Sequence, residues 1–446
     1  MKRIISHTLI LIVLILSKSI SVLSFLQKGS RLTAPSPRCM PPSPAKTILN
    51  EDGSKDDLRL LDATFLVSGT TIGAGMLALP EVAREPGFIP STLTLVGCWV
   101  FMSITGLLIA EVAANLSVRG VNFESGRRED RDRDRDRDGD RDGDADLALK
   151  PKGILAMVDS TLGRPAALAS GATYLFFHYT LLCAYISEAG LILNESLFHS
   201  PDSKFGSLIF TAVLGYILFF GSENFIGKFN DVSLLVVILS FIGLVCILSS
   251  LFSSDQLLTV NEFVYIPKAV PIMFLALVYH NVVPVICEKL KYDKKSITKA
   301  ILFGTFIPLF MFVIWIGLIL GIKLPEVDGS NLDVMTKVDP VMLLKMKNPG
   351  NEFLGPLVSL FSEFSISTSF TGFVLGLTSF FKDILPSRRE DVPDPYVYNL
   401  ILLPPLVVSL LGGSDLFLSA LDIAGTYGIT FLFGVLPVFM VQSLRY

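Results

Sequence analysis

The sequence predicts an all-α integral membrane protein of about ten or eleven transmembrane helices, and three observations carry that prediction. Of its 446 residues 51% are hydrophobic and 17% charged, with a mean hydropathy of +0.59, whereas a soluble chain carries about a quarter charged residues. Apolar segments long enough to cross a bilayer recur along most of the chain. Two of them carry glycine, proline or polar residues at mid-membrane depth. Unpaired peptide groups cost several kcal/mol in lipid, so broken backbone persists only where it lines a site. That pattern implies a transporter.

The chain opens with addressing signals. Lys2 and Arg3 precede an apolar run from Ile4 to Leu16, followed by the small-residue stretch Ser17 to Ser24, a signal-peptide layout over 1–24. Phe25 to Thr47 is rich in Ser, Pro, Arg and Lys and holds no acidic residue, which is transit-peptide composition over 25–50. The tandem resembles the bipartite presequences of algae with complex plastids, where an aromatic residue, here Phe25, follows the cleavage point. That resemblance implies a plastid envelope membrane; another endomembrane or the plasma membrane is the alternative. The mature membrane domain is expected over 51–446.

Apolar segments follow at about 62–84, 88–117, 166–194, 206–222, 231–253, 268–287, 300–322, 353–381, 397–412 and 416–441, the fourth and ninth short. Lys289, Lys291, Lys294, Lys295 and Lys299 cluster after the sixth, and Lys382, Arg388 and Arg389 after the eighth. By the positive-inside rule both termini then lie inside. Between the second and third segments, Arg127 to Asp146 is an Arg-Asp repeat with glycines. Its alternating charges offer no apolar face, and a disordered loop is expected over 120–150.

The first interrupted segment reads Gly69-Thr70-Thr71-Ile72-Gly73-Ala74-Gly75-Met76-Leu77-Ala78-Leu79-Pro80. Glycine is a poor helix former and proline removes a donor, so this helix should break near its middle. The second is the sixth segment, where His280 and Asn281 sit between Pro271 and Pro284. Two interrupted spans five apart in ten is the layout of two inverted five-helix halves.

The GTTIGAGMLALP stretch resembles the first-helix signature of the aromatic amino acid permease family, the tyrosine and tryptophan permeases of the amino acid–polyamine–organocation superfamily. Leu277 to Pro284 stands where that family carries an FGFH-type stretch. Ser365-Ile366-Ser367-Thr368-Ser369-Phe370-Thr371-Gly372 looks like its eighth helix, and Ala424-Gly425-Thr426-Tyr427-Gly428 like its tenth. Val278 replaces a family glycine, and the family's eleventh helix has no counterpart among the ten segments.

The resemblance implies the leucine-transporter-like fold and symport of an amino acid. The substrate carboxylate would meet free amides at Ile72, Gly73, Ala74 and Gly75, at a helix N-terminus. The ammonium would face carbonyls of Gly69, Thr70 and the stretch Phe274 to Leu277. Tyr174, Phe177, Tyr179 and Tyr279 are candidates for the side-chain pocket, suited to stacking on an aromatic substrate.

For ion coupling the intramembrane ionisable residues are Glu111, His178, Glu188, His280 and Glu363. His280, inside a broken segment, is the candidate for protons; the bland alternative is a histidine bonding nearby carbonyls. Thr368 and Ser369, with carbonyls of Thr70 and Gly73, would instead form an oxygen cage for sodium. Proton or sodium is thus the coupling ion, with no other cofactor expected.

Other functions fit less well. A net charge of −4 argues against nucleic acid as partner. The five cysteines are scattered without a CxxC pair, and the four histidines show no metal-ligand spacing, so an enzyme is not expected. An amino acid sensor signalling through the Arg-Asp loop, or a carrier of another organic solute, are the rivals.

Overall fold

The computed structural model describes residues 51–134, 153–198, 204–258, 260–322, 353–384, 395–412 and 415–445. The signal- and transit-like segments lie outside these residues, as does the Arg-Asp segment beyond Asp134. Among the described residues the regular structure is helical, with one isolated bridge, Phe252 with Ile322.

In chain order the helices are α1 (Glu51–Thr71), α2 (Gly75–Arg84), α3 (Phe88–Asp134), α4 (Ile154–Leu162), α5 (Arg164–Phe198), α6 (Lys204–Phe220) and α7 (Glu223–Ser249). They continue as α8 (Ile266–Ala276), α9 (Val283–Lys289), α10 (Lys294–Leu320), α11 (Leu354–Ile384), α12 (Pro395–Leu411), α13 (Leu416–Ile423) and α14 (Leu436–Arg445). Ala424–Val435, between the last two, is wound as a π-helix. Among the described residues, seven helical stretches are long and apolar enough to span a membrane, and α1 with α2 make an eighth, bent by 55°. The shorter apolar helices α6 and α12 coincide with the short fourth and ninth segments of the sequence. The protein is thus an all-α integral membrane protein. Helix α3 outruns its apolar stretch and stays helical to Asp134, through the start of the Arg-Asp segment.

Local chemistry sets several boundaries. Asp293 caps α10 by accepting the Ser296 amide at 2.9 Å, and Ser222 caps α7 through the Phe225 amide. Gly87 turns the chain between α2 and α3 at φ +88°, a conformation glycine adopts without steric cost. A side chain there would strike the Val260 carbonyl.

Packing places the broken spans at the centre. Helix α1 lies on α10, with the Ser68 hydroxyl donating to the Gly304 carbonyl at 2.7 Å. Helix α8 is seated against α2, α3 and the π-segment. Helix α11 lies along α5 and α7. The outer faces read as lipid-facing stripes: Leu235, Leu239 and Ile242 on α7, and Phe303, Phe306 and Phe310 on α10, are exposed at spacings of three and four. Buried apolar side chains continue through the interior from α1 to α14.

Candidate functional site

The first span stops being helical at Ile72, Gly73 and Ala74. The Ile72 amide still reaches the Ser68 carbonyl, and the Met76 and Leu77 amides bond Gly73 and Ala74 in tight three-residue turns. Among the described residues the amides of Gly73 and Gly75 find no backbone acceptor, and the carbonyls of Gly69, Thr70 and Thr71 lose their helical donors. The Ala74 amide is met from across the bundle, donating to the Ser369 hydroxyl of α11 at 2.9 Å. Helix α11 therefore reaches a freed amide of the first break.

Glycine is required here for room rather than for backbone twist, since Gly73 does not have a positive φ. A Cβ on Gly73 would fall on the Ser369 hydroxyl, and one on Gly75 would come 2.9 Å from the Ala276 Cα. The last contact matters most, because Ala276 ends α8. The two broken spans touch backbone to backbone beside both interruptions.

The second interruption runs over Leu277, Val278 and Tyr279, followed by a single 3₁₀ turn, His280–Val282. Val278 does not prevent the break. Pro284 lies in the first turn of α9, where a missing N–H costs nothing. The Tyr279 hydroxyl donates to the Met102 carbonyl of α3 at 3.0 Å, and a side chain at Gly106 would collide with that hydroxyl. His280, fully buried, has Nε2 2.9 Å from the Thr105 hydroxyl. Its ring lies near-parallel to Phe433 of the π-segment, with centroids 4.9 Å apart.

An aromatic wall joins the two interruptions. Tyr185 and Phe373 have centroids 5.7 Å apart, Phe373 and Phe177 5.7 Å, and Phe177 and Phe433 6.1 Å. Phe433 then reaches His280. Phe274 of α8 packs on Phe101 of α3 at 5.2 Å.

The structure thus brings together Ile72, Gly73, Ala74, Gly75 and Ser369, and sets Phe274, Leu277, Tyr279 and His280 on the adjoining span, all buried except Ser369, which is partly so. Gly69 lies three residues before the break and approaches Leu234 of α7. Thr70 contributes its carbonyl; its side chain is exposed and donates to Leu66. Thr368 bonds the Ser365 carbonyl of its own helix at 2.9 Å. Tyr179 lies elsewhere, donating to the Leu400 carbonyl of α12. Sequence reasoning passed over Tyr185, Thr105, Gly106, Phe373 and Phe433. Gly106 and Thr105 adjoin in an apolar run, the one signal available; the aromatics were indistinguishable from many others.

Two ion pairs bracket the broken spans. Lys268 at the start of α8 meets Glu85 just past α2 at 2.9 Å. At the opposite face Lys289, closing α9, meets Asp62 of α1 at 3.2 Å. Farther out, Arg445 of α14 grips Glu111 of α3 with both carboxylate oxygens engaged. Among the described residues no cluster of His, Cys, Asp or Glu is placed to hold a metal ion.

Comparison with known proteins fits this geometry. The chain is 26% identical over 389 residues to Tyrosine-specific transport system 1 of Haemophilus influenzae, covering 87% of this chain and 88% of the relative. It is 27% identical over 367 residues to the Tryptophan-specific transport protein of the same organism, covering 79% and 80%. Glutamine transporter 2 of Aliivibrio fischeri is 23% identical over 395 residues, covering 87% and 90%. The model of the tryptophan/tyrosine permease family matches residues 57–127 and 146–446, skipping the stretch that holds the Arg-Asp repeat. With both broken spans, Ser369 of the eighth and the π-segment of the tenth inside the matched range, this chain belongs to the tryptophan/tyrosine permease family.

Proposed function

We propose that the protein is a secondary active transporter that carries aromatic amino acids across a plastid envelope membrane by alternating access. The observation that carries this reading is the paired interruption: freed amides at Gly73 to Gly75 abut Ala276, beside the second break. Amides at the N-terminal end of α2 suit a carboxylate, and the freed carbonyls of Gly69 to Thr71 suit an ammonium. The wall of Tyr185, Phe373, Phe177 and Phe433 suits an aromatic side chain. Membership of the permease family, with tyrosine- and tryptophan-specific relatives, supports the same substrate class.

The broken spans are first and sixth of ten, which supports two inverted halves rocking about a central site. The Ser369 hydroxyl beside the first break, with neighbouring Thr368, suits a sodium ion, and the buried histidine of the second suits a proton; one of these two ions drives uptake. The N-terminal composition supports plastid delivery, tested by the location of a fluorescent protein fused behind residues 1–50. A second reading, an amide substrate, is favoured by the glutamine-transporting relative.

The test is uptake of radiolabelled tyrosine, tryptophan, phenylalanine, glutamine and leucine by proteoliposomes holding the full chain, under a proton gradient, a sodium gradient or neither. Gradient-driven aromatic uptake, abolished by Gly73→Leu, is expected. Transport of glutamine alone would move the substrate class to amides. No uptake by folded protein would overturn the transporter reading in favour of a sensor.

A further inference from the structure

His280 makes one hydrogen bond, and its other ring nitrogen makes none. Nε2 lies 2.9 Å from the Thr105 hydroxyl, while Nδ1 is buried without a partner. The Thr105 hydroxyl itself donates to the Met102 carbonyl at 3.1 Å. A hydroxyl has one proton to give. In the tautomer in which that proton goes to the carbonyl, Thr105 accepts and Nε2 carries the imidazole hydrogen. Nδ1 is then a bare acceptor.

The rest of the environment holds that acceptor in place. The ring is tilted by 33° against Tyr279 at 4.7 Å and stacked on Phe433 at 4.9 Å. Tyr279 is itself pinned to Met102. The imidazole has therefore little freedom to turn and satisfy Nδ1 elsewhere. A buried acceptor left unmade costs about 1–3 kcal/mol, and here that cost sits at the second helix break, at the end of the aromatic wall. Ala276, which touches Gly75, lies four positions before His280 on the same interrupted span.

Resting on the aromatic-carrier reading above, we propose that His280 Nδ1 is the specificity element of the site, accepting a hydrogen bond from the polar hydrogen of the substrate side chain. Tyrosine offers a phenolic O–H and tryptophan an indole N–H, both donors at the far edge of a ring. Phenylalanine offers neither. One acceptor thereby admits two differently shaped side chains and rejects the third, because a ligand without the donor leaves Nδ1 unpaired. This is a task for a neutral imidazole, distinct from carrying a coupling proton.

The test is competition for labelled tyrosine uptake by full-chain proteoliposomes. The competitors are tyrosine against 4-fluorophenylalanine, and tryptophan against its benzothienyl analogue, in which sulfur replaces the N–H. The wild type should favour each donor-bearing member at least tenfold. His280→Gln, which keeps a donor toward Thr105 but loses the Nδ1 acceptor, should bring both ratios within about threefold. His280→Asn, which keeps an acceptor near Nδ1, should retain part of the preference. Wild-type ratios near one would overturn the proposal without recourse to any variant, as would a His280→Gln protein that keeps the full preference. If the folded wild type takes up no aromatic amino acid, the substrate class itself falls, an outcome distinct from aromatic uptake without donor preference.

Discussion

Gly73 and Ser369 should behave as one unit in mutagenesis although 296 positions separate them (369 − 73). Gly73→Ala puts a methyl where the Ser369 hydroxyl now lies. The backbone itself tolerates alanine, since Gly73 is not at positive φ. The serine must instead rotate, and the Ala74 amide loses the acceptor it now has at 2.9 Å. Orphaning that amide costs about 1–3 kcal/mol. Ser369→Ala removes the same oxygen and orphans the same amide, again at about 1–3 kcal/mol. In the double variant the new methyl meets only the residue-369 Cβ, at 3.6 Å, an ordinary contact. The hydrogen bond is therefore lost once rather than twice, and the double variant should cost the same ~1–3 kcal/mol, with a coupling of that size between the sites. Thermal unfolding in detergent of the four proteins measures the cycle. Additive costs would show that the Ser369 hydroxyl is not what Gly73 makes room for.

Gly425→Ala should destabilise by about 1–3 kcal/mol or more, because its methyl would strike the Pro271 carbonyl of α8. Gly97→Ala in α3, with nothing within 4 Å, should be neutral or stabilise by up to ~1 kcal/mol; the same unfolding assay separates the two. Arg445→Gln should cost more than Glu111→Gln, roughly 2–3 against 1 kcal/mol, because the Glu111 side chain is only 9% exposed while that of Arg445 is 37% exposed and reaches water. Equal losses would contradict that asymmetry. The Asp293 carboxyl is held below its ordinary range, chiefly by its hydrogen bonds with Ser296. Its capping contribution is therefore present above the usual carboxylate pKa of ~3.9 and fades as pH falls through the lowered value. Asp293→Ala should cost about 1 kcal/mol at pH 7, and the gap to wild type, followed by melting temperature, should close below pH ~4.

The spans were legible because each writes its own local signal, a run of apolar residues between charges. The place of the first break was legible too, but glycine marks it and proline does not: Pro80 sits buried inside α2, past the interruption at Ile72 to Ala74. In the sixth span Pro284 sets where the helix resumes, which is why Val278 in place of glycine leaves the break intact. What the sequence withheld are contacts between distant elements. Nothing local distinguishes Tyr185, buried against Phe373, from the lipid-facing Tyr216, because both sit in apolar helices. Tyr179 shows the same limit: its ring chemistry suited the pocket, and its helix face turned it to α12. The partners of His280 likewise lie 175 positions away at Thr105 and on a π-wound stretch of the tenth span.

The backbone contact of Gly75 with Ala276 and the ion pair of Glu85 with Lys268 fasten α2 and α8 at two points, one at the breaks and one at the membrane face. Their continuations α1 and α9 are linked by the side chains of Asp62 and Lys289 at the opposite face. The two spans are thus built like a clasp, with one pair of arms riveted near the pivot and the other pair held at the tips. The first pair meets main chain to main chain, whereas the second is joined at its ends by an exposed ion pair. At the breaks themselves, the first span thus meets the second through main chain, with no side chain between Gly75 and the Ala276 Cα.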